Sequence, residues 1–206
     1  MPDQDISQRR WDYYYTHTQH RPPSDLLLKV VEGITMTPSH NDLAIDLGCG
    51  AGRDTQALLA RGWQVLAIDS QSTALEITRN QAPVDYQTNL QTREAAFEGL
   101  TLPNARLIHA HYSLPFCHPD QFDALWQQIE MALTNDGCFS GTFFGPNDEW
   151  AGTPTMTFHT ADDVRLLFER FQIMYFSEED AVGKTAVGRE KHWHVFSVVA
   201  QKVKRG

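Results

Sequence analysis

The stretch from Asp42 to Thr55, DLAIDLGCGAGRDT, decides the fold. Its first half is a short apolar run closed by an acid, Asp46; its second half places glycines at 48, 50 and 52. The segment "LAIDL" reads as a buried strand, and "RDTQALLARG" as a helix that Gly62 ends as its C-cap. Between them lies a turn nearly bare of side chains. Such a strand, glycine turn and helix start form a cradle in which backbone N–H groups approach a ligand directly.

The glycine spacing narrows the choice of ligand. A dinucleotide site wants glycines at the first, third and sixth positions of the loop, the last for close helix packing. Here the sixth position is Arg53. Asp46 also stands where a pyrophosphate would lie, so the loop suits a ligand with a cationic group. A second acid, Asp69, ends the strand "WQVLAID", where a carboxylate accepts ribose hydroxyls. An adenosine ligand with an amino group and an onium centre, but no pyrophosphate, meets these demands. That describes S-adenosylmethionine, and both Asp46 and Arg53 disfavour an NAD-linked oxidoreductase.

Apolar segments alternate between strand and helix periods from Leu26 almost to the end, which predicts an α/β fold with a mostly parallel sheet. Ser24 caps a helix carrying "LLLKVVEGI", and Ser70 or Ser72 starts the helix "TALEITRNQ", which stops before Pro83. A short strand is expected over Leu90 to Glu94, and a clearer one in "ARLIHA". Pro119 opens a helix through "FDALWQQIEMAL" that "NDG" closes, and "CFSGTFFG" is a central strand. Thr160 and Asp163 form a capping box ahead of "VRLLFERF", whose Leu166, Leu167, Phe168 and Phe171 read as a core stripe. Two last strands, "FQIMYFSEE" and "HWHVFSVVAQK", enclose a loop with Gly183 and Gly188.

The composition sets the outer bounds. A chain of 206 residues suits one domain, 1–206, with a substantial core. Its formal net charge of −9 repels a phosphate backbone, and its cations gather only weakly at Arg9, Arg10 and the tail "KVKRG", so nucleic acid is not expected. Apolar runs such as "LLLKVV" are far too short to span a membrane, which needs about 20 residues. The N-terminus lacks a secretory pattern, and Cys49, Cys117 and Cys138 lack CxxC spacing, so a reducing, cytoplasmic setting is expected.

With its glycine loop, "VLAID", "LIHAHYSLPF", "LTNDGCFSGTFFG" and "KHWHVFSVVAQK", the chain resembles the class I S-adenosylmethionine-dependent methyltransferases, nearest to the small bacterial tellurite-resistance branch. The resemblance covers nearly the whole chain. It implies a doubly wound Rossmann-like sheet of seven strands with an antiparallel last strand. It also implies a cofactor set of Asp46, Gly48, Cys49, Gly50, Gly52, Arg53, Asp69, Ser70, Ala96, Phe97 and Ala110. Asp46 and the loop backbone take the methionine part, Asp69 the ribose, and Ala96 and Phe97 the pocket wall. The product is S-adenosylhomocysteine.

Methyl transfer from a sulfonium asks mainly for proximity, orientation and exclusion of water. In a parallel sheet the ligand lies beyond the carboxyl ends of the strands. His109, His111 and Tyr112 are therefore expected to line the acceptor pocket, with Ala110 on the other side of its strand. His192, Trp193 and His194 reach the same edge and meet Glu178, Glu179 and Asp180. His111, Tyr112, His192 and His194 are the catalytic candidates. His192, His194 and Glu178 suggest a metal trio, but paired histidines at a sheet edge are more often structural, and no metal is assigned. Cys49 fills a position that wants a small residue, while Cys117 lies nearer the acceptor side. Residues 1–23, with Trp11, Tyr14 and Tyr15, are expected to fold over the opening as an aromatic lid. The expected partner is a small-molecule acceptor whose identity, like the oligomeric state, the sequence does not state. A cofactor-binding sensor or partner protein without transferase activity is the other reading.

Overall fold

A computed structural model describes residues 11–33 and 36–203. Residues 11–18 are helical (α1), and Ser24 caps α2 (Asp25–Leu28) by accepting from the Leu27 N–H, after which the chain runs into a π-turn over Lys29–Gly33. The core elements follow as β1 (Leu43–Leu47), α3 (Arg53–Leu59), β2 (Gln64–Asp69), α4 (Ser72–Gln81), β3 (Leu90–Glu94) and β4 (Ala105–Ala110). Then come α5 (Pro119–Ala132), β5 (Leu133–Phe144), α6 (Ala161–Leu167), β6 (Phe171–Lys184) and β7 (Glu190–Lys202).

The strands form one seven-stranded sheet in the order β3-β2-β1-β4-β5-β7-β6. β1 pairs in parallel with β2 and β4, and β7 runs antiparallel to both β5 and β6. Strands β1, β2 and β4 are buried on both faces, which explains their unbroken apolar sequences. One face packs Trp126, Phe139, Phe143 and Phe168 beneath α5 and α6; the other packs Leu27, Leu58, Trp63 and Val199 beneath α2 and α3. Each such side chain contributes roughly 1.5–3 kcal/mol by leaving water. The chain turns outward from β1 to β2 and back to β4, so a crevice opens at the carboxyl ends of β1 and β4, where such sheets bind ligands.

Local departures from the sequence reading have identifiable causes. Helix α5 stops at Ala132 and "NDG" lies within β5, where Asp136 adopts φ 61° and the β4–β5 register shifts. Helix α4 does begin at Ser72, one of the two expected starts, but Gln71 is its cap residue, with its N–H held by Asp69. Leu166 is exposed, whereas Phe168 and Phe171 are buried in the core, Leu167 packs against it and Val164 joins them, so one residue of the expected stripe faces outward. Gly183 belongs to β6, and only Gly188 lies in the turn that follows it. Arg9, Arg10 and the end of the tail lie outside the described residues.

Candidate functional site

The glycine loop closes under β2: the Gly48 and Cys49 N–H groups both donate to the Ile68 carbonyl, at 2.8 and 2.9 Å. Gly48, Gly50 and Gly52 all have positive φ, which L side chains resist. A Cβ on Gly48 would lie 2.3 Å from Ser113 Cβ, and one on Gly52 would lie 2.5 Å from Thr78 Oγ1. The first glycine therefore lets the β1 and β4 loops meet, and the third lets α3 approach α4. Gly50 meets only the Tyr15 ring, at 3.4 Å, so its side faces the cleft.

Two acids flank this loop, as the sequence implied. Asp69 Oδ2 accepts from the Gly50 N–H at 2.9 Å, while Oδ1 accepts from the Gln71 N–H at 3.0 Å and the Tyr15 hydroxyl at 3.2 Å. Asp46 is buried and accepts from Thr55 Oγ1 at 2.6 Å. Burial, helped by the charge of Asp54, pushes its carboxyl up to about 6 against the pull of His109. An acid held so near neutrality gains by meeting a cationic group.

Both acids line a cleft of about 1470 Å³. A single-ligand pocket is typically about 300–1,000 Å³, so there is room for two molecules. The cleft lining includes Cys49, Ser70, Ala96, Phe97 and Glu98, with Arg53 close enough to act on His111 and Tyr112. At its aromatic end stand His111, Tyr112, Phe116, Trp150, Glu179 and Trp193. Helix α1 lies over the middle, with Tyr15 packed on Ala51 and Ala74, and Trp11 stacked on Tyr15 and edge-on to Phe116. The first ten residues of the expected lid lie outside the described residues.

Several sequence candidates sit elsewhere. Ala110 is fully buried in the core and reaches no cleft surface. His109 is also fully buried, beneath the cleft floor, with Nε2 3.1 Å from Asp54 Oδ2 and Nδ1 3.1 Å from Ser140 Oγ. Burial opposes the charge of Asp54, but the hydrogen bond and charge of His109 outweigh it and hold Asp54 below the usual carboxylate range. The same carboxylate accepts from the Ser24 N–H at 2.7 Å, which ties α2 to α3. His192 and His194 point to the face of β7 opposite the cleft, where they pair with Asp180 at 2.6 Å and Glu178 at 2.9 Å. Their neighbours Trp193 and Glu179 take the cleft side, as strand alternation demands. The Asn147 N–H donates to His194 Nδ1, so Nε2 carries the proton that goes to Glu178. No group of three or more metal-ligating side chains occurs among the described residues. Cys117 is buried in the core, and burial pushes its thiol up to about 11.

His111 and Tyr112 do reach the cleft, and their states at neutral pH are clear. Burial, with His109 adding to it, pushes His111 down to about 3, so its ring is uncharged. Its Nδ1 has no hydrogen-bond partner among the described residues. Burial pushes Tyr112 up to about 12, so its hydroxyl keeps its proton. Tyr112 also holds a left-handed backbone, φ 54°, fixed by its N–H on Thr142 Oγ1 at 2.6 Å. Strain of this kind at a strand end collects at functional sites.

The aromatic end has a wall that the sequence did not announce. β5 pairs with β7 only over residues 195–201, while β6 and β7 stay paired out to Lys184 and Glu190, so the last stretch of the hairpin projects past β5 as an arm. Gly183 on this arm lies against the Trp193 indole, 3.2 Å from where a Cβ would sit. Tyr112, Phe116, Phe144, Trp150 and Trp193 form a continuous surface with neighbouring centroids 5.5 to 6.5 Å apart. Behind it, Lys191 Nζ lies 3.7 Å from the Trp193 centroid, 4.1 Å from that of Trp150, and 2.5 Å from Asp148 Oδ1. The signal was present in "KHWH", but alternation groups side chains by face without saying which face meets the cleft.

Comparison with known proteins agrees with this geometry. Residues 44–137 match the family model described as a methyltransferase domain. TehB from Haemophilus influenzae is similar at 14% identity and TM-score 0.70, over 84% of this chain and 61% of TehB, so the chain spans about three-fifths of that protein's length. The N-methyltransferase NodS from Bradyrhizobium japonicum WM9, solved with S-adenosyl-L-homocysteine, is similar at 14% identity and TM-score 0.67, over 92% of this chain and 86% of NodS. A SAM-dependent methyltransferase from Methanosarcina mazei is similar at 16% identity and TM-score 0.63, over 84% and 98% of the two chains. At these identities the likeness establishes the fold. No curated protein matches the sequence.

Proposed function

We propose, from the match of residues 44–137 to a methyltransferase-domain model and from the methyltransferase-like fold, that the chain binds S-adenosylmethionine and directs its methyl group in line to a small-molecule acceptor. The observation that carries the reading is the loop of three left-handed glycines at the sheet's switch point, with a buried acid at the end of each adjoining strand. The two acids ask for different groups. Asp46 takes the cationic amino end, and Asp69, beyond the open side of Gly50, takes the ribose, with Ala96 and Phe97 walling the base. The bound cofactor supplies an electrophilic methyl on a sulfonium.

What the chain adds is position and exclusion of water. With a pKa of about 3, His111 is too weak a base to abstract a proton at neutral pH, where an effective base titrates near 7. It serves as an uncharged hydrogen-bonding group for the acceptor, and Tyr112 serves as a hydroxyl donor. α1 and the β6–β7 arm close the two sides of the cleft, and the Arg21 guanidinium joins them by donating to the Ala186 carbonyl at 2.7 Å.

A thermal-shift comparison tests the donor site. S-adenosylhomocysteine is expected to raise the melting temperature, NAD is not, and Asp69→Ala is expected to lose at least tenfold in affinity, since it removes charge-assisted bonds of about 1.5–3 kcal/mol each. A rise with NAD alone would end this reading. Turnover on an acceptor panel then separates an enzyme from a binding protein.

A further inference from the structure

We infer that the acceptor is a planar aromatic molecule carrying a hydrogen-bond-donating or cationic group, packed by face and edge contacts against Tyr112, Trp150 and Trp193 and oriented by the Glu179 carboxylate. The inference rests on the methyltransferase reading above and adds to it the acceptor class. Two independent features support it, the surface of the wall and the distribution of charge beside it.

The wall consists of rings drawn from separate elements and set edge-to-face to one another: Tyr112 after β4, Trp150 on the loop after β5, and Trp193 on β7. Trp150 and Trp193 stay partly exposed in the cleft although Lys191 and Phe144 back them. A ring already backed by a fixed partner offers its free surface to a flat ligand at little ordering cost, because few rotatable bonds remain to be frozen. Flat aromatic ligands match such surfaces by offset or edge contacts. A small, strongly hydrated oxyanion gains nothing from them.

The charges point the same way. Three cations have an opposite partner: Lys191 has Asp148, Arg189 has Glu149, and Arg53 has Asp54 at 3.7 Å. Lys184, next to Gly183 on the hairpin arm, lines the cleft without an acidic partner among the described residues. Glu179 faces the cleft and makes no hydrogen bond or ion pair among the described residues. Arg21 and Lys184 carry free positive charge toward the turn of the hairpin, whereas beside the Tyr112 hydroxyl the uncommitted charge is the negative one of Glu179. It attracts a donor or a cation and repels tellurite, selenite and carboxylates.

In the transfer, the acceptor heteroatom gives its lone pair to the methyl carbon, the carbon–sulfur bond breaks with its pair kept by sulfur, and any proton left on the acceptor goes to solvent water. No oxidant or reductant is needed.

Two probes with one ring and opposite charge test the inference, by calorimetry on protein saturated with S-adenosylhomocysteine. Tryptamine is expected to bind at least tenfold more tightly than indole-3-acetate, and tellurite is expected not to bind. Glu179→Gln, an exposed position that leaves the fold intact, is expected to shrink the ratio below threefold. Trp193→Leu is expected to weaken both probes at least tenfold while leaving the S-adenosylhomocysteine affinity within twofold. Equal or tighter binding of indole-3-acetate, or binding of tellurite without either indole, would overturn the acceptor class and leave the donor site standing. Failure of S-adenosylhomocysteine to bind would remove both readings together.

Discussion

Burial penalises the charge of Asp46 and Asp54 repels it, which pushes its carboxyl from 3.8 up to about 6 against the pull of His109. The sign of the consequence follows from proton counting. Between about pH 4 and 6 the folded chain holds a proton on Asp46 that the unfolded chain has released, so stability falls as pH rises through that interval and stays lower above it. A shift of two units corresponds to about 2–3 kcal/mol. Asp46→Asn is expected to raise the melting temperature of the ligand-free protein above pH 6 and to weaken S-adenosylhomocysteine binding. A cationic amino group beside Asp46 would lower its pKa again, so binding to the wild type near pH 6 should release protons. Calorimetry in two buffers of different ionisation enthalpy measures that release. Zero release at pH 6, or the same release from Asp46→Asn, would show that the cationic end of the ligand lies elsewhere.

At the scale of elements, α1 both covers the cleft and competes for it. A carboxylate offers about four acceptor positions. Asp69 has three in use, by Gly50, Gln71 and Tyr15, so it can hold two ribose hydroxyls only if one partner leaves. The two backbone donors are fixed by the loop and by the start of α4, which leaves the Tyr15 hydroxyl. Tyr15→Phe keeps the ring packing on Ala51 and Ala74 and is expected to tighten S-adenosylhomocysteine binding by about 2- to 10-fold, the worth of one net hydrogen bond. A tenfold loss in equilibrium titration would make Tyr15 a ligand contact and not a competitor. The central elements were legible in the sequence because parallel strands buried on both faces leave unbroken apolar runs, and β1 and β4 fall where the pattern put them; β3 also lies at Leu90–Glu94, though its polar residues leave no such run. The glycine loop and its two acids were legible for a related reason: Gly48, Gly50, Asp46 and Asp69 all sit at fixed offsets from strand ends. The aromatic wall was not. Phe116 and Trp150 come from irregular segments that no period locates, Trp193 from a strand whose cleft face cannot be told from its other face, and Tyr15 reaches Asp69 across 54 residues of sequence. The "NDG" segment misled because the same residues stop a helix or kink a strand, and packing of β5 beside β4 decided between them.

The whole molecule depends on fastening the segment after β5 to the hairpin arm, since together they wall the cleft without help from the central sheet. Gly145 and Glu149 donate from that segment to the His194 and His192 carbonyls, and Asp148 sits at its centre. One oxygen of Asp148 accepts from Lys191 at 2.5 Å and from the Trp150 N–H at 3.0 Å; the other accepts from the His194 N–H at 3.2 Å. Both side chains of the Lys191–Asp148 pair are fully buried. Burial pushes Lys191 below its ordinary range while Asp148 pulls it back, and three aromatic rings complete the enclosure. Removing one partner of a buried pair strands the other charge, which costs about 3–5 kcal/mol, whereas replacing both is often close to neutral. Lys191→Met is thus expected to lower the melting temperature by about 6–20 °C, at about 2–4 °C per kcal/mol for a chain of this size. Lys191→Met combined with Asp148→Asn should recover at least half of that loss, because Asn keeps an oxygen for the Trp150 N–H and carries no charge to strand. Calorimetric melting of the two single variants and the double gives the coupling directly. Losses that simply add would mean that the pair is not coupled in the folded protein, and that the backbone bonds to His192 and His194 hold the wall by themselves.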